Sequence, residues 1–553
     1  MRTHLHLLRS DERGFALAMA VALMTLVTVG SLVVYTLVQD ENSKSRRDVT
    51  QNLAYQAAEA GTNAYLANLT QDIGFYNSEV AKGEATRTGD NDHVARPNDC
   101  TVSCSDMSWN LAAYGTWQYL TPRASDKGWY TIPVAGGATS QEYQYLIQVY
   151  PPNKSLTQLN AQLITRVVVT GRPYGSTDTS KWRTIETLLR PSSLADFQAF
   201  LAKSETYGPS AVTTGPIFVG EDNSGNPGDL IHQGTAQANL YAEGQVDPGH
   251  TPSSYTTFQN GATWYDSDTS TTALCKLNDC FPVPFTTFTN YIGTVATAAA
   301  TTGGITLPAT DPNNSNLSTQ SPTPYSVDTW KLVFDSTGHV KVYSCKNQSG
   351  VKDYTGTTAP TCWQNTTICP SSGCTTLIPQ KFPIYSAADV IVQGTVHGTV
   401  TVASADDIIY GGNTSYATNG VDVLGLEATN NIIIPEWLIY SAANGNVTVW
   451  SAQFALNGSF EADPDGCSWT GGSNPSGHST CDSSSQNCNN SVNICLMTIN
   501  GSSALYGNSN GPILMTNAFG HRNYNYDSNL LFIPPPYFPT LPNAFTILVQ
   551  REI

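Results

Sequence analysis

The sequence predicts an α+β part at the N-terminus, joined to an all-β part that makes up the rest of the 553 residues. Three observations predict this arrangement. An uncharged apolar run leads into a helical pattern without proline, short runs rich in Val and Ile follow, and all twelve cysteines lie beyond the apolar run. We therefore expect a long N-terminal helix with a small antiparallel sheet, then a β-rich, disulfide-containing region that ends in a β-solenoid.

The apolar run over residues 15–38 predicts one membrane-spanning helix. At about 1.5 Å per residue it would be about 36 Å long, enough to cross a hydrocarbon core of about 30 Å. A cleaved secretory signal has a shorter apolar region, about 7–15 residues, and no A-x-A-like site precedes the polar segment QDENSKSRRD. Lys and Arg are nearly balanced on the two sides, so the positive-inside rule does not fix the orientation.

The composition indicates where the bulk of the chain lies. Only 12% of residues are charged and the net charge is −17, so no basic surface exists for phosphates and a nucleic-acid partner is excluded. Twelve cysteines in local clusters, in a chain with an export element, are typical of disulfides in an oxidising compartment. We therefore expect a single-pass membrane protein whose C-terminal bulk is extracellular.

Near neighbours are the predicted disulfide partners, although sequence does not fix their connectivity. The predicted pairs are Cys100–Cys104, Cys275–Cys280, Cys345–Cys362, Cys369–Cys374, Cys467–Cys481 and Cys488–Cys495. A zinc site is the alternative, and it would favour C-x-x-C pairs or interleaved histidines. The spacings here are C-x3-C and C-x4-C or longer and the nine histidines are scattered, so we predict no metal and no cofactor.

The helical pattern continues into the polar part of the chain. Leu53, Ala57, Gly61 and Tyr65 recur at i+4 and form a face of small and apolar residues for packing against another surface. A single helix over residues 15 to about 69 is therefore expected. Its second half is either a juxtamembrane stalk or a spine shared with neighbouring subunits.

A short leader that ends in Gly14, followed by Phe15 and this helix, resembles a type IV pilin precursor over about residues 9–70. The stretch AYQAAEAG at residues 54–61 is similar to the end of the PilX-type N-terminal module. The resemblance implies that a prepilin peptidase cuts between Gly14 and Phe15 and methylates the new N-terminus. It also implies that other pilin subunits pack on the retained helix.

Met19 departs from the pattern of the major pilins. Those pilins carry Glu five residues into the mature helix, where it pairs with a neighbour's N-terminal amine, and this chain has Met19 there. A carboxylate inside a membrane is costly and normally functional. Its absence favours a minor or tip-located pilin over a bulk filament subunit.

The remaining sequence divides by composition into further regions. The predicted organisation is a leader at 1–14, a transmembrane and amphipathic helix at 15–70, a pilin-type α+β domain at 71–195, a loop-rich β region at 196–380 and a solenoid-like extracellular domain at 381–553. Three runs at 143–152, 163–174 and 181–191 predict consecutive antiparallel strands. An unrelated small β-rich domain is the alternative for this part. The oxygen-rich loops at 221–229 and 310–324 lack the calcium-loop spacing, and calcium binding there stays open.

From about residue 384, short Val- and Ile-rich runs alternate with Gly or Asn turns every 8–16 residues. Runs that cannot bury their own faces favour a stacked β-solenoid, and a sandwich is the main alternative. The segments TVASADDIIYGGNTSYA and YDSNLLFIPPPYFP resemble the exported solenoid-type domain that is joined to PilX-like N-termini. That resemblance implies little chemistry.

A catalytic site on a solenoid would need paired carboxylates in one groove. The candidates are Asp389, Asp406, Asp407, Asp422 and Glu427. Adjacent residues in a strand point to opposite faces, so Asp406 and Asp407 would not form one pair. His397 and His478 have no partner motif. Trp264, Trp437, Trp450 and Trp469 are candidates for a sugar- or surface-binding face, although core packing is the more usual role of Trp.

These observations predict a non-enzymatic, minor or tip-located pilin-like protein. It would display a large extracellular β domain for adhesion or filament assembly. Its expected partners are the membrane, the prepilin peptidase, other pilin subunits and a surface or glycan ligand. Two alternatives remain: a membrane-anchored surface solenoid outside any filament, and a carbohydrate-active enzyme on the same anchor.

Overall fold

The computed structural model describes part of the chain, which divides into two units. The first unit is Met1–Pro152, Thr165–Leu189 and Val549–Ile553, and the second is Asn153–Ile164 and Arg190–Leu548. The described residues are 24, 45, 47–66, 129–132, 143–150, 165–209, 211–222, 224–266, 285–311, 325–326, 329–346, 359–375, 381–435, 437–438, 446–462, 496–507, 512–514 and 521–553.

The first unit packs one helix on an antiparallel sheet. Helix α1 covers residues 47–66. The five-stranded sheet has the order β1-β2-β3-β4-β32. Its strands are β1 (Tyr130–Ile132), β2 (Tyr143–Tyr150), β3 (Thr165–Pro173), β4 (Arg183–Ser193) and β32 (Thr540–Glu552).

Small residues let α1 lie directly on β3. Ala54 and Ala58 are fully buried, and a Cβ added to Gly171 of β3 would lie 1.8 Å from the carbonyl oxygen of Ala54. A Cβ on Gly61 would lie 2.5 Å from the ring of Tyr145 on β2. Both glycines are therefore required by close approach, since any side chain would push the helix off the sheet.

The predicted fold class, α+β with a long N-terminal helix, is wrong for the described part of the chain. Strands dominate it, and beyond α1 the helices with both ends described are α2 (Pro252–Tyr255) and α3 (Tyr291–Thr301). Of the helix predicted over residues 15 to about 69, the structure describes Met24, Ser45 and residues 47–66. Within the described segments, continuous helix is limited to residues 47–66, and no helix combines the length and hydropathy needed to span a membrane. Apart from Met24, residues 15–38 lie outside the described residues.

The second unit begins with short parallel strands that pair in three sets. One set pairs β5, β8, β11 and β13, another pairs β6 and β9, and the third pairs β7, β10 and β12. The strands are β5 (Ala199–Leu201), β6 (Glu205–Tyr207), β7 (Val212–Thr213), β8 (Ile217–Val219), β9 (Leu230–His232), β10 (Thr235–Ala236), β11 (Leu240–Ala242), β12 (Thr257–Phe258) and β13 (Trp264–Tyr265).

An antiparallel group with two disulfides follows. It joins β17, β18, β19 and β20 in one sheet, and β15 pairs separately with β16. The strands here are β14 (Ile305–Leu307), β15 (Thr310–Asp311), β16 (Tyr325–Ser326), β17 (Thr329–Asp335), β18 (His339–Lys346), β19 (Thr361–Gln364) and β20 (Cys374–Thr375).

The rest of the second unit alternates between two parallel sheets. The odd-numbered strands from β21 to β31 form part of a 14-stranded sheet, and the even-numbered strands from β22 to β30 form part of a nine-stranded one. The strands are β21 (Lys381–Ser386), β22 (Asp389–Val396), β23 (Thr399–Ser404), β24 (Ile408–Tyr416), β25 (Val423–Ala428), β26 (Ile432–Ile434), β27 (Asn446–Ala455), β28 (Phe460–Ala462), β29 (Leu496–Leu505), β30 (Ile513–Leu514) and β31 (His521–Tyr526).

Two apolar layers stabilise the second unit. One lies between the two sheets and contains, for example, Val392, Val402 and Ile408. The other covers the opposite face of the 14-stranded sheet and contains Phe454 and Phe285. Both faces of this sheet are buried, so polar residues of its strands, such as Thr401, Ser451 and Gln453, are buried as well.

Candidate functional site

The predicted acids of the second unit fall into one cluster and two separate positions. Carboxylate oxygens of Asp389, Asp406 and Asp407 all lie within 4.8 Å of one another. Strand β23 ends at Ser404 and β24 begins at Ile408. Asp406 and Asp407 therefore lie in a turn, and the expectation that they point to opposite faces of a strand is wrong.

Backbone N–H groups of successive turns donate hydrogen bonds to the carboxylates of this cluster, and these bonds connect the turns. The Asp407 N–H donates to Oδ1 of Asp389 at 2.9 Å, and the Asn431 N–H donates to Oδ1 of Asp407 at 2.7 Å. The Ser459 N–H then donates to Oδ1 of Asn431 at 3.0 Å. Each turn thus satisfies an amide of the next one, which a buried backbone requires. These acids consequently have a structural role in the stacking.

Asp406 is the exposed member of the cluster, and the Asn430 side-chain amide donates to its Oδ1. Three carboxylates are the donor type that calcium and magnesium prefer, although calcium takes about 6–8 oxygens. The sequence has no Lys or Arg over residues 382–520, and hydrogen bonds from the turn amides offset part of the local negative charge. The geometry suits a structural turn better than a pair of acids acting across a sugar.

Asp422 and Glu427 lie outside the cluster. Asp422 accepts the Gly398 N–H at 2.8 Å and the Thr418 N–H at 2.6 Å, which shapes the bend before β25. Glu427 is 0% exposed in the middle of the 14-stranded sheet. Among the described residues neither of its carboxylate oxygens has a hydrogen-bond partner, and burial raises its pKa well above the usual value. Neither side chain can reach a substrate in this geometry.

The tryptophans do not form one exposed face in the described part of the chain. Trp437 is buried, while Trp264 packs against Phe258 and Trp450 packs edge-on against Tyr416. Trp469 and His478 lie outside the described residues, and His397 is half-buried beside Gly398. Trp264, Trp437 and Trp450 therefore belong to the core or pack against it, which is the usual role of Trp.

Sequence reasoning missed two titratable groups with shifted pKa values. Burial, followed by the nearby Glu221 carboxylate, raises the pKa of Glu243 to about 7. Burial lowers the pKa of His232 to about 4. The sequence signal for both was weak, because each is one polar residue beside a short apolar run.

The loop over 221–229, described except for residue 223, is organised by Asp222, whose carboxylate accepts the N–H groups of Ser224 and Asn226.

The residues predicted for helix packing lie on α1. Ala57, Gly61 and Tyr65 are buried and Leu53 is half-buried, on the side that faces β2 and β3. The predicted cleavage residues Gly14 and Phe15, and Met19, lie outside the described residues. Their roles stay predictions.

The structure forms two of the disulfides named from the sequence. Cys345 is bonded to Cys362 across β18 and β19, and Cys369 is bonded to Cys374. The other candidates lie outside the described residues, namely Cys100, Cys104, Cys275, Cys280, Cys467, Cys481, Cys488 and Cys495. No free cysteine occurs among the described residues.

Comparison with solved structures includes a weak structural likeness to a pilin. Neither a protein-family model nor a curated protein matches the sequence. Among solved structures, the chain is similar to the competence-associated pilin ComZ from Thermus thermophilus. The identity is 12%, the alignment covers 91% of this chain and 98% of the other, and the TM-score is 0.27. At that TM-score a common fold is not shown.

Proposed function

We propose that this chain is a minor pilin-like protein that displays its β-rich second unit at the cell surface or on a filament. The observation that carries the proposal is the contact between α1 and its sheet. A face of alanines and Gly61 packs directly on antiparallel strands, and Gly171 makes the approach close enough for backbone contact. A subunit that must carry a large exported region needs such a rigid junction beside its N-terminal segment.

The sequence supplies the assembly signals of this proposal. Prepilin peptidase cleaves between Gly14 and Phe15, and the retained apolar segment contacts the membrane and other pilin subunits. Met19 stands where the major pilins carry the acid that pairs with a neighbour's N-terminal amine. Because this chain lacks that acid, the subunit enters a filament in few copies, at or near the tip. The exported unit then contacts a surface, a glycan or another subunit.

We also propose that the chain is not an enzyme. Support comes from the hydrogen bonds of the candidate acids. Asp389, Asp407 and Asp422 accept backbone N–H groups of neighbouring turns, and Glu427 is inside the apolar layer. Because these carboxylates are hydrogen-bonded to the backbone or buried, they are poorly placed for proton transfer to a substrate.

The mature N-terminus in a sheared surface fraction tests the pilin proposal. Mass spectrometry should find N-methyl-Phe15 as the first residue. Substituting Gly14→Leu should leave the leader attached and remove the protein from that fraction, whereas a matched Ser10→Leu change in the leader should not. A wild-type chain that retains Met1, or that is cut after residue 38, would contradict the proposal.

The same samples distinguish the alternatives. A surface-anchored protein outside any filament would stay with the envelope after shearing. The closeness of Asp389 and Asp406 is the observation that favours the carbohydrate-active enzyme. Its test is an assay of glycan turnover in the wild type and in the single variants Asp389→Asn, Asp406→Asn and Asp422→Asn. Turnover in the wild type that is lost in one of these variants would overturn the non-enzymatic proposal.

A further inference from the structure

Glu427 is an isolated carboxyl group on the outer face of the 14-stranded sheet. Its register neighbours are Ala403 on β23 and Phe454 on β27, both of which belong to the outer apolar layer. Alternate residues Leu424 and Leu426 belong instead to the layer between the two sheets. Glu427 therefore points away from the inner layer and into the outer one.

Two segments cover this face, and we call them the first strap (residues 285–301) and the second strap (residues 527–541). The first strap contributes Phe285, Phe288 and Val295 to the outer layer. The second contributes Leu530, Phe538 and Leu541 to the same layer. They are joined by a 2.8 Å hydrogen bond between the Tyr291 and Thr540 hydroxyl groups.

The second strap is also hydrogen-bonded directly to the sheet. The Thr401 hydroxyl donates to the Pro536 carbonyl, and a Cβ on Gly425 would lie 2.6 Å from Pro535. Phe285 and Phe288 pack against Phe454, the register neighbour of Glu427, with ring centroids 6.3 and 6.1 Å away. The carboxyl group therefore lies in the layer that the straps close.

The charged groups on the packed elements have other partners. Asp422 on the β25 side binds the N–H groups of Gly398 and Thr418, and Asp527 in the second strap binds the Asn529 N–H. The Arg190–Asp196 ion pair contacts the second strap through the Leu530 and Leu531 carbonyls, and Lys203 lies over the Tyr506 ring. The Tyr291 hydroxyl is hydrogen-bonded to the Thr540 hydroxyl, and Tyr385 packs against the same apolar layer. Burial alone accounts for the raised pKa of Glu427, so none of these groups compensates a charge there.

We propose that Glu427 makes the two straps a pH-sensitive cover, closed while the carboxyl group is protonated and released from the sheet when it ionises. An ionised carboxylate with no partner is unstable in an apolar layer, and opening the straps gives it water. Release would expose the outer apolar face of β23, β25 and β27. This proposal does not depend on the pilin function.

The direction of the pH effect follows from linkage. A solvated Glu ionises near pH 4.3, whereas the closed state holds its proton to a higher pH. The open state therefore gains stability as pH rises above about 4.3, and the opening equilibrium constant increases about tenfold per pH unit until the closed state also ionises. The straps are most firmly closed in acid.

Hydrogen–deuterium exchange of the full chain between pH 5 and pH 8 tests the proposal. The readout is the protection factor, in which the intrinsic pH dependence of amide exchange is already removed. The first strap should lose about tenfold in protection per pH unit in the wild type and show no such slope in Glu427→Gln. The hairpin β17–β18 provides an internal reference, and Glu59→Gln, an exposed carboxyl on α1, is the matched control.

Two results would overturn the proposal. One is a flat profile of strap protection in the wild type, and the other is a slope that persists in Glu427→Gln. If the Gln variant fails to fold, Glu427→Leu replaces it, because an apolar side chain of similar size suits the layer. Equal loss of protection in the straps and in the β17–β18 reference would also overturn it, since opening would then be global.

Discussion

The guanidinium group of Arg190 is buried beside the carboxylate of Asp196 and is 1% exposed. It also donates to the carbonyls of Pro191 at 2.7 Å and Leu531 at 2.8 Å, so all parts of the group have acceptors. A buried ion pair contributes little net stability as a pair, but removing one partner leaves an uncompensated charge. The pair thus specifies how residues 190–196 meet the segment around Leu531.

Substituting Arg190→Met should destabilise the second unit by about 3–5 kcal/mol, because Asp196 would be left buried without its cation. Urea unfolding monitored on the second unit measures the loss. Lys181→Ala is the control, since its pair with Asp178 is about half exposed and surface pairs contribute about 0–1 kcal/mol. A loss for Arg190→Met no larger than that of the control would contradict this prediction.

His232 should make the second unit acid-sensitive. Its ring is stacked on Tyr207 with centroids 5.5 Å apart, and its Nε2 is 3.1 Å from the Thr213 hydroxyl. Because its folded pKa of about 4 lies below the usual 6.5, its stabilising contribution is complete above about pH 6.5. It is lost as pH falls towards 4, by up to about 1.4 kcal/mol per pH unit.

The variant His232→Phe keeps the ring stack and removes the titration. Its unfolding free energy, measured from pH 7 to pH 4.5, should lack the acid-side loss that the wild type shows. Glu427 acts in the opposite direction, so the difference between variant and wild type is the relevant quantity.

At the scale of elements, the small-residue face of α1 was predictable, whereas its partner was not. The i+4 spacing of Ala57, Gly61 and Tyr65 marks the face without any knowledge of the sheet. Gly171 lies in the run TRVVVTGRP, where an isolated glycine signals close backbone approach but does not say to what. The same periodicity does not indicate at which residues α1 begins and ends, because the pattern does not encode where its packing partner ends.

Substituting Gly171→Ala should separate α1 from β3. The added Cβ would meet the Ala54 carbonyl, a backbone atom that no rotamer change can move, so we expect a cost of at least about 1–3 kcal/mol. Exchange protection over residues 47–66 should fall in the variant. Gly208→Ala, where nothing lies within 4 Å of the added Cβ, should cause no such change. Unchanged protection of α1 in Gly171→Ala would show that the close approach is not required.

At the scale of the whole chain, local pattern predicted strands but not their neighbours. Val- and Ile-rich runs such as β23 and β25 are recognisable one at a time. Their order in the sheet is non-sequential, because β5 pairs with β29 and β7 pairs with β31. Nothing in the short run AFL indicates a partner near residue 503, since parallel pairing depends on backbone groups that every residue has. The acid cluster was hidden for the same reason, as Asp389 and Asp407 meet only through turn stacking.

This order of strands predicts the order of folding. Strand β21 pairs with β23, and β23 pairs with β25, across fewer than thirty residues. In contrast, the Lys203 ammonium group, just after β5, donates to the Gly507 carbonyl 304 positions along the chain. Closing a long loop costs entropy before its contacts form, so non-local pairs form late. In pulse-labelling exchange during refolding with the disulfides kept oxidised, residues 381–428 should therefore gain protection before the Ala202 amide, which donates to the distant Leu505 carbonyl. The β17–β18 hairpin, a local pair, should become protected with the early group. Earlier protection of the Ala202 amide would mean that β5 meets β29 before the parallel strands β21–β25 have formed. Strand β29 would then pair with β5 early in folding, before the local parallel strands are in place.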